Sequence, residues 1–124
     1  MKTYIVDTYA WIAYFERKGK ISRLMDNNYL VTPSIVVAEF VRVSLRNGMN
    51  PEKISAMLSF MEKHSLIMGL DFEQAVKAAQ VSEREALPVI DGIVYSYADA
   101  NGIVLTGDDH FKGKECVEFV KEGE

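Results

Sequence analysis

Four acidic residues of this 124-residue chain stand where a carboxylate could bind a metal ion. Asp7 and Asp108 each follow a short apolar run that is typical of a buried strand. Glu39 interrupts an otherwise apolar helical segment, and Asp91 stands near the start of another. Carboxylate oxygens suit Mg²⁺ or Mn²⁺, whereas a zinc site would favour cysteine or histidine. The pattern predicts a Mg²⁺ or Mn²⁺ site that could activate a water molecule for hydrolysis.

The segments around these acids alternate between strands and helices. Runs rich in β-branched and aromatic residues predict strands over 4–6, 29–31, 66–68, 103–105 and 117–120. Helical spacing predicts helices over 8–18, 21–25, 33–47, from 51 onward, 72–87 and 89–101. This alternation predicts a three-layer α/β domain, in which helices flank a central parallel sheet of five strands on both faces.

Local residue types also predict how individual elements begin, pack and end. We expect Thr32 to cap the helix that begins at Pro33, and Gly102 to end the helix that begins at Val89. We expect Asp71 to cap the helix over 72–87. The inward face of that helix is predicted to carry Phe72, Ala75, Val76 and Ala79. Cys116 precedes an apolar strand and is expected in the core.

The predicted topology brings the four acids to one edge of the sheet. Ligands of parallel sheets gather beyond the carboxyl ends of the strands, where Asp7 and Asp108 stand. Glu39 lies about 9 Å along a helix that begins at that edge. The helix carrying Asp91 precedes the fourth strand and runs back toward the same edge. Two carboxylates 4 Å apart repel by about 4 kcal/mol at an effective dielectric of 20, and a divalent cation would relieve this repulsion.

Each acid taken alone also has a structural interpretation. Asp91 could serve the helix dipole, and Asp7 could be a turn residue. Asp108 and Asp109 could form a turn and cap a short helical segment, while Glu39 could face a small solvent window. Asp99 is left out because it lies eight residues beyond Asp91, about 12 Å along the predicted helix.

Four short motifs, in order along the chain, resemble those of the PIN-domain ribonucleases. They are Asp7-Thr8-Tyr9-Ala10, Ala38-Glu39-Phe40-Val41-Arg42, Val89-Ile90-Asp91-Gly92-Ile93 and Leu105-Thr106-Gly107-Asp108-Asp109-His110-Phe111. Within that superfamily the chain is similar to the VapC toxins of toxin–antitoxin pairs. The resemblance implies that the metal-binding and catalytic acids are Asp7, Glu39, Asp91 and Asp108. It favours Asp108 over Asp109 because the family pattern is threonine, any residue, aspartate.

The resemblance also implies an activity and partners. Thr8 and Thr106 match hydroxyl positions that orient a carboxylate or a water molecule. A Mg²⁺- or Mn²⁺-dependent endoribonuclease of this family leaves a 5′-phosphate and a 3′-hydroxyl. A VapB-like antitoxin and a homodimer are the expected protein partners.

Candidate RNA contacts are basic residues near the acids. Arg42 and Arg46 follow Glu39 at helical spacing, and Lys112 follows the last acidic motif. A second basic cluster has a solvated surface as its alternative interpretation; it consists of Arg17, Lys18, Lys20 and Arg23. The first helix carries more aromatic surface than one core face needs, and part of it is expected at an interface. His110 is interpreted as a local hydrogen-bonding partner that could also touch substrate.

Other protein classes fit less well. A haloacid-dehalogenase-type phosphatase needs a second aspartate two residues after the first, where this chain has Tyr9. A response-regulator receiver would have an acidic neighbour beside Asp7. A PIN-like RNA-binding or scaffold module without catalysis would be expected to lack one of the acids. An RNA-processing nuclease outside a toxin–antitoxin pair stays open as an alternative.

Composition sets the remaining expectations. The length predicts one domain over 1–124. A single cysteine excludes an internal disulfide and favours a reducing, cytoplasmic setting. No apolar run reaches the ~18 residues of a membrane span, and the first residues do not form a signal peptide. The net charge of −4 argues against general coating of nucleic acid but allows a local basic surface.

Overall fold

The computed structural model describes residues 1–17 and 19–121. Its elements, in chain order, are β1 (Thr3–Val6), α1 (Thr8–Phe15), α2 (Gly19–Asp26), β2 (Tyr29–Pro33), α3 (Ser34–Arg46), α4 (Pro51–His64), β3 (Leu66–Met68), α5 (Phe72–Glu85), α6 (Val89–Tyr95), β4 (Ile103–Thr106), a 3₁₀ turn (Asp109–Phe111) and β5 (Val117–Phe119). All strand pairs are parallel, in the order β3-β2-β1-β4-β5. The predicted α/β fold with a five-stranded parallel sheet is confirmed.

The strand order creates a crevice at the carboxyl end of the sheet. From β1 the chain moves outward through β2 to β3, and it then returns to the other side of β1 to form β4 and β5. Because parallel crossovers are right-handed, the change of direction places helices on opposite faces of the sheet. The two directions diverge between β1 and β4, which is where such sheets bind ligands. Asp7 directly follows β1, and Asp108 lies two residues beyond β4.

An aromatic cluster joins α1 to the sheet and to α4. Trp11 is fully buried, stacks on Phe15 and donates an indole N–H to the Thr32 hydroxyl at 3.0 Å. The ring of Phe60 contacts the same cluster from α4. Trp11 and Tyr14 therefore belong to the core, and the predicted interface role of part of α1 stays a prediction for its other residues.

Several predicted helix boundaries are also wrong. α1 ends at Phe15, and its predicted end, Lys18, lies outside the described residues. Thr32 is a strand residue whose hydroxyl accepts from Trp11, so Pro33 occupies the cap position of α3. α6 ends at Tyr95 and does not continue to Gly102.

A turn before β4 explains the early end of α6. Asp99 accepts backbone N–H groups from Asn101 and Gly102 through its side chain, and its own N–H donates to the Gly102 carbonyl. Such side-chain hydrogen bonds compete with helix continuation. Asp99 thus precedes β4, at the opposite end of that strand from Asp108.

The buried face of α5 differs from the predicted one. Asp71 caps the helix as expected, accepting the N–H of Gln74. Ala78, Val81 and Ser82 face inward. The four residues predicted to face inward, Phe72, Ala75, Val76 and Ala79, are all exposed.

Close packing against α6 accounts for this choice of face. A Cβ atom on Gly92 would lie 2.5 Å from the Ser82 Cβ, so the two helices approach at a point where only small side chains fit. Gln74 adds a hydrogen bond from its amide to the Ser96 hydroxyl at 2.8 Å. The small residues Ala78 and Ser82 therefore form the part of the inner face of α5 that contacts α6, and Val81 is buried beside them.

Two further expectations about burial are corrected. Leu66, Ile67 and Met68 form the edge strand β3, and all three side chains are exposed. Cys116 is exposed and has a φ of +56°, so it belongs to the turn before β5 and not to the core. None of the described helices has the length and apolarity that a membrane span requires.

Candidate metal centre

Asp7 joins β1 to α1 and is both a helix cap and a buried acid. Its Oδ1 accepts the backbone N–H of Ala10 at 2.9 Å, and its Oδ2 accepts the hydroxyl of Thr106 at the end of β4. Only 5% of the residue is exposed. The turn interpretation and the site interpretation of Asp7 are therefore compatible, because one carboxylate caps the helix and lies in the crevice.

Burial dominates the ionisation of Asp7. Burial, together with the smaller effect of the negative charges of Asp108 and Asp91, raises the pKa of the carboxyl to about 7. The hydrogen bonds from Thr106 and Ala10 favour the ionised form and oppose this rise. Without a cation, the carboxyl holds its proton up to nearly neutral pH.

Asp91 reaches the crevice from α6. Pro88 precedes the helix, and Asp91 lies in its first turn as predicted. Burial and the charge of Asp108 raise the pKa of Asp91 to about 6, with a further contribution from Glu39 and an opposing one from His110. The neighbouring Gly92 packs tightly against Ser82 and Ala78, so α6 lies close to α5 at this point.

Asp108 and His110 form a compact turn after β4. The Asp108 N–H donates to the Thr106 hydroxyl at 3.0 Å, and the Asp108 Oδ1 accepts the His110 N–H at 2.9 Å. The His110 Nδ1 lies 2.9 Å from the Asp108 Oδ1 and 3.2 Å from the Asp91 Oδ2. One candidate ligand atom from each of the three residues lies within 4.8 Å of the others.

Glu39 is held at the rim by α1. The Thr8 hydroxyl donates to the Glu39 Oε1, and the carboxylate is partly exposed. Its charge contributes to the raised pKa of Asp91. The structure therefore places four acids from four segments in one electrostatically coupled group. The Thr8 hydroxyl donates to Glu39, and the Thr106 hydroxyl donates to Asp7.

Asp109 pairs with Lys121 and not with the four acids. Lys121 donates to the Asp109 Oδ1 at 3.0 Å and to the Gly107 carbonyl at 3.1 Å, and it lowers the pKa of Asp109. Gly107 is enclosed by the Tyr9 ring and the Val120 carbonyl, which leave no room for a Cβ. The backbone at this point can therefore pass close to Tyr9 only because residue 107 is glycine.

The predicted basic residues lie on the surface. Arg42 and Arg46 are exposed on α3, about 4.5 and 10 Å beyond Glu39 along the helix axis. Lys112 is exposed directly after the 3₁₀ turn. Their role in RNA binding stays a prediction.

Two contacts of this region go beyond what the sequence predicts. The interpretation of His110 as a local hydrogen-bonding partner agrees with its contacts to Asp108, but its contact with Asp91 on α6 goes beyond that interpretation. Its spacing of two residues from Asp108, inside a short turn, indicates the contact with Asp108 but not the one with Asp91. Lys121 follows β5 at a distance of 12 residues from Asp109, and no local pattern marks it.

The donor set fits a hard divalent cation. Carboxylate oxygens predominate, and the raised pKa values of Asp7 and Asp91 show that the protein alone does not compensate their charges. A divalent cation would supply that compensation and favour the ionised forms. The arrangement is suited to activating water beside an anionic substrate.

Comparisons with known proteins agree with the fold. A sequence profile of the PIN domain matches residues 4–115. Among curated proteins, no sequence matches. Three similar solved structures are a toxin–antitoxin complex from Klebsiella pneumoniae (14% identity, 95% of this chain and 96% of that chain, TM-score 0.72), VapBC2 from Rickettsia felis bound to a promoter DNA fragment (18%, 96% and 98%, 0.70), and VapC20 from Mycobacterium tuberculosis, a toxin that cleaves the sarcin–ricin loop (16%, 77% and 80%, 0.64).

Proposed function

This chain belongs to the PIN-domain family, and from that premise we propose that it is a metal-dependent endoribonuclease, the toxin of a VapBC-type pair. The convergence of Asp7, Glu39, Asp91 and Asp108 in the crevice between β1 and β4 is the observation that supports this proposal most directly. Four acids from four segments incur electrostatic repulsion that a purely structural role would not require.

We assign the metal-binding role to Asp7, Asp91 and Asp108, with Glu39 acting directly or through a water molecule. A bound Mg²⁺ or Mn²⁺ would acidify water and neutralise charge on the phosphate. Thr106 and the N-terminus of α1 hold the two oxygens of Asp7 in place, so this carboxylate keeps one orientation. Thr8 orients Glu39 in the same way.

Substrate binding is assigned to the exposed cations around the crevice. Arg42, Arg46 and Lys112 would contact RNA phosphates, because guanidinium and ammonium groups donate several hydrogen bonds to phosphate oxygens. Hydrolysis would leave a 5′-phosphate and a 3′-hydroxyl. We place this activity in the cytoplasm, where RNA is available.

We further propose a VapB-like antitoxin as a partner. Two of the similar structures are toxin–antitoxin complexes. An apolar groove between α1, α3 and α4 offers a contact surface; it is lined by Ile12, Phe15, Phe40, Val43, Met49 and Met57. A homodimer is the second proposed assembly.

The nuclease proposal is tested by incubating a pool of structured and single-stranded RNAs with the protein and Mg²⁺ or Mn²⁺. Cleavage that EDTA stops and Asp7→Asn abolishes would support the assignment. Asp109→Asn is the matched control, because Asp109 is exposed and paired with Lys121. We expect this variant to keep activity within a few-fold of wild type.

Two outcomes would contradict the proposal. Unchanged cleavage by Asp7→Asn would exclude the proposed metal centre. RNA binding without cleavage, with either metal, would instead favour a PIN-like binding module.

A further inference from the structure

The ring of His110 lies against two of the acids to which the metal-binding role is assigned. Its Nδ1 atom is 2.9 Å from the Asp108 Oδ1 and 3.2 Å from the Asp91 Oδ2. One candidate ligand atom from each of these three residues lies within 4.8 Å of the others. The histidine nitrogen is therefore close enough to the carboxylate oxygens to contact the same ion.

We propose that His110 binds the metal ion through its Nδ1 atom, and that this nitrogen makes the centre select Mn²⁺ over Mg²⁺. The inference rests on the proposed metal-dependent nuclease. It adds a ligand outside the four acids and a choice between the two ions. Both additions are measured with the metal alone, without RNA.

The two short distances from the His110 Nδ1 match the spacing of neighbouring ligands around one small cation. Two ligand atoms that lie about 2.1 Å from an ion and at right angles to each other are about 3.0 Å apart. The two separations in the structure are 2.9 and 3.2 Å. One ion could therefore contact the nitrogen and both carboxylates after small movements of the side chains.

The short turn after β4 explains why the ring lies beside Asp108. The Asp108 carboxylate caps this turn by accepting the backbone N–H of His110 at 2.9 Å. The cap holds the backbone of His110 close to the carboxylate, and the His110 ring contacts the same oxygen. A local hydrogen bond thus brings the nitrogen next to the first acid.

Packing between this turn and α6 brings the same ring to Asp91. Phe111 is fully buried, and its ring contacts the ring of Tyr95 with the two centroids 6.1 Å apart. Tyr95 lies four residues after Asp91, on the same side of α6. Because Phe111 directly follows His110, this contact holds the turn beside the helix that carries Asp91.

An imidazole nitrogen among carboxylate oxygens changes which ion the centre prefers. Mg²⁺ is a hard ion that prefers oxygen ligands and gives up bound water reluctantly. First-row transition ions accept imidazole more readily, and Mn²⁺ also suits carboxylates. Carboxylates alone would suit either ion, whereas carboxylates together with His110 favour Mn²⁺.

The competing interpretation is that His110 is only a neighbour of the acids. Its charge opposes the rise of the Asp91 pKa, so the ring and the carboxylate attract each other without a metal. An ion bound to the acids alone would repel a charged ring and would not contact its nitrogen. The two interpretations therefore differ in whether a histidine nitrogen contacts the ion.

Pulsed electron paramagnetic resonance of the protein with Mn²⁺ tests this contact. A coordinated imidazole nitrogen modulates the spin echo of Mn²⁺, and labelling histidine with ¹⁵N changes the modulation. We expect this signal in wild type and its loss in His110→Asn.

His64→Asn is the matched control. His64 is the only other histidine in the sequence; it is exposed and stacks on Phe60. It precedes β3 and so lies at the opposite edge of the sheet from Asp7. The control should keep the signal, and every histidine signal that it gives comes from His110.

Calorimetric titrations with MnCl₂ and with MgCl₂ test the selectivity. Wild type should bind Mn²⁺ more tightly than Mg²⁺. Loss of even an outer partner of a metal ligand usually weakens binding by about 10–100-fold, so His110→Asn should weaken Mn²⁺ binding by about tenfold or more. Its effect on Mg²⁺ binding should be smaller, because the asparagine side chain offers an oxygen that Mg²⁺ accepts. Circular dichroism and the urea midpoint check that both variants are folded.

Two results would overturn the inference. They are bound Mn²⁺ without a histidine signal, and an equal loss of Mn²⁺ and Mg²⁺ affinity in His110→Asn. If Mn²⁺ binds without a histidine signal and Asp7→Asn abolishes this binding, the proposed metal centre stands and only the role of His110 fails. A protein that binds neither ion would contradict both proposals, so the two failures are distinguishable.

Discussion

Replacing Asp7 with asparagine should stabilise the metal-free protein at alkaline pH while removing its activity. The pKa of Asp7 is about 7 in the fold, against an ordinary value of 3.8. The stability that protonated Asp7 contributes is therefore fully present below pH 3.8 and is lost as pH rises through 7. Asparagine cannot ionise, so the variant does not lose this stability as the pH rises. Its amide oxygen can still cap α1 by accepting the Ala10 N–H.

The size of the effect follows from the interval between pH 5 and pH 7. Over these two units the unfolded chain has released the proton and the fold retains it, and each unit changes the unfolding free energy by about 1.36 kcal/mol. The difference in unfolding free energy between the variant and wild type should therefore shift by about 3 kcal/mol in favour of the variant from pH 5 to pH 8. Relaxation of the buried site would make the measured gain smaller.

Urea unfolding in EDTA, followed by fluorescence of Trp11, measures this difference. Trp11 is the single tryptophan and is fully buried, so its emission should report unfolding. Added Mg²⁺ should stabilise wild type, by about 2.7 kcal/mol at 100 times the dissociation constant, and should stabilise the variant much less.

Asp109→Asn is the control for this experiment. The pKa of Asp109 is lowered by Lys121, so its ionisation contributes stability above pH 3.8 that is lost only in acid, outside the interval from pH 5 to pH 8. If the unfolding free energies of wild type and Asp7→Asn differ by the same amount at every pH from 5 to 8, the reasoning is refuted.

Three further predictions concern the site and the core. Metal affinity, measured by calorimetry, should rise about tenfold or more between pH 5.5 and pH 7.5 and then level off. The reason is that Asp7 and Asp91 lose protons with pKa values of about 7 and 6. An affinity that does not depend on pH would contradict their role as ligands. Gly92→Ala should lower the unfolding free energy by about 1–3 kcal/mol, because its Cβ would lie 2.5 Å from that of Ser82, and an unchanged urea midpoint would exclude this contact. Thr32→Val should cost about 1–3 kcal/mol by leaving the Trp11 N–H without its acceptor, and a stability equal to wild type would show that this hydrogen bond is not needed.

Local patterns predicted much of the fold. The five strands lie within two residues of their predicted positions, and Asp71 caps the helix expected of it. These features depend on short-range effects, namely side-chain alternation and hydrogen bonds within a single turn. Boundaries that depend on distant partners were predicted less well. α6, for example, ends at Tyr95 and is followed by a turn that Asp99 organises.

The candidate site shows the same division. The alternation of strands and helices predicted that the four acids lie at one edge of the sheet. A parallel sheet fixes the directions of its strands and of the helices between them. Their roles as metal ligands stay predictions. The place of His110 between Asp91 and Asp108 could not be predicted, since it requires the relative position of α6 and the turn after β4.

The sequence by itself therefore determined the class of fold, the order of its elements and the residue types at the crevice. Tertiary structure alone decided which side of α5 is buried, and it chose the small side because Gly92 and Ser82 allow the helices to approach closely. It also decided that Asp7 is buried enough to hold a proton near neutral pH. Both outcomes depend on which distant segments exclude water from a residue, and residue spacing does not specify that.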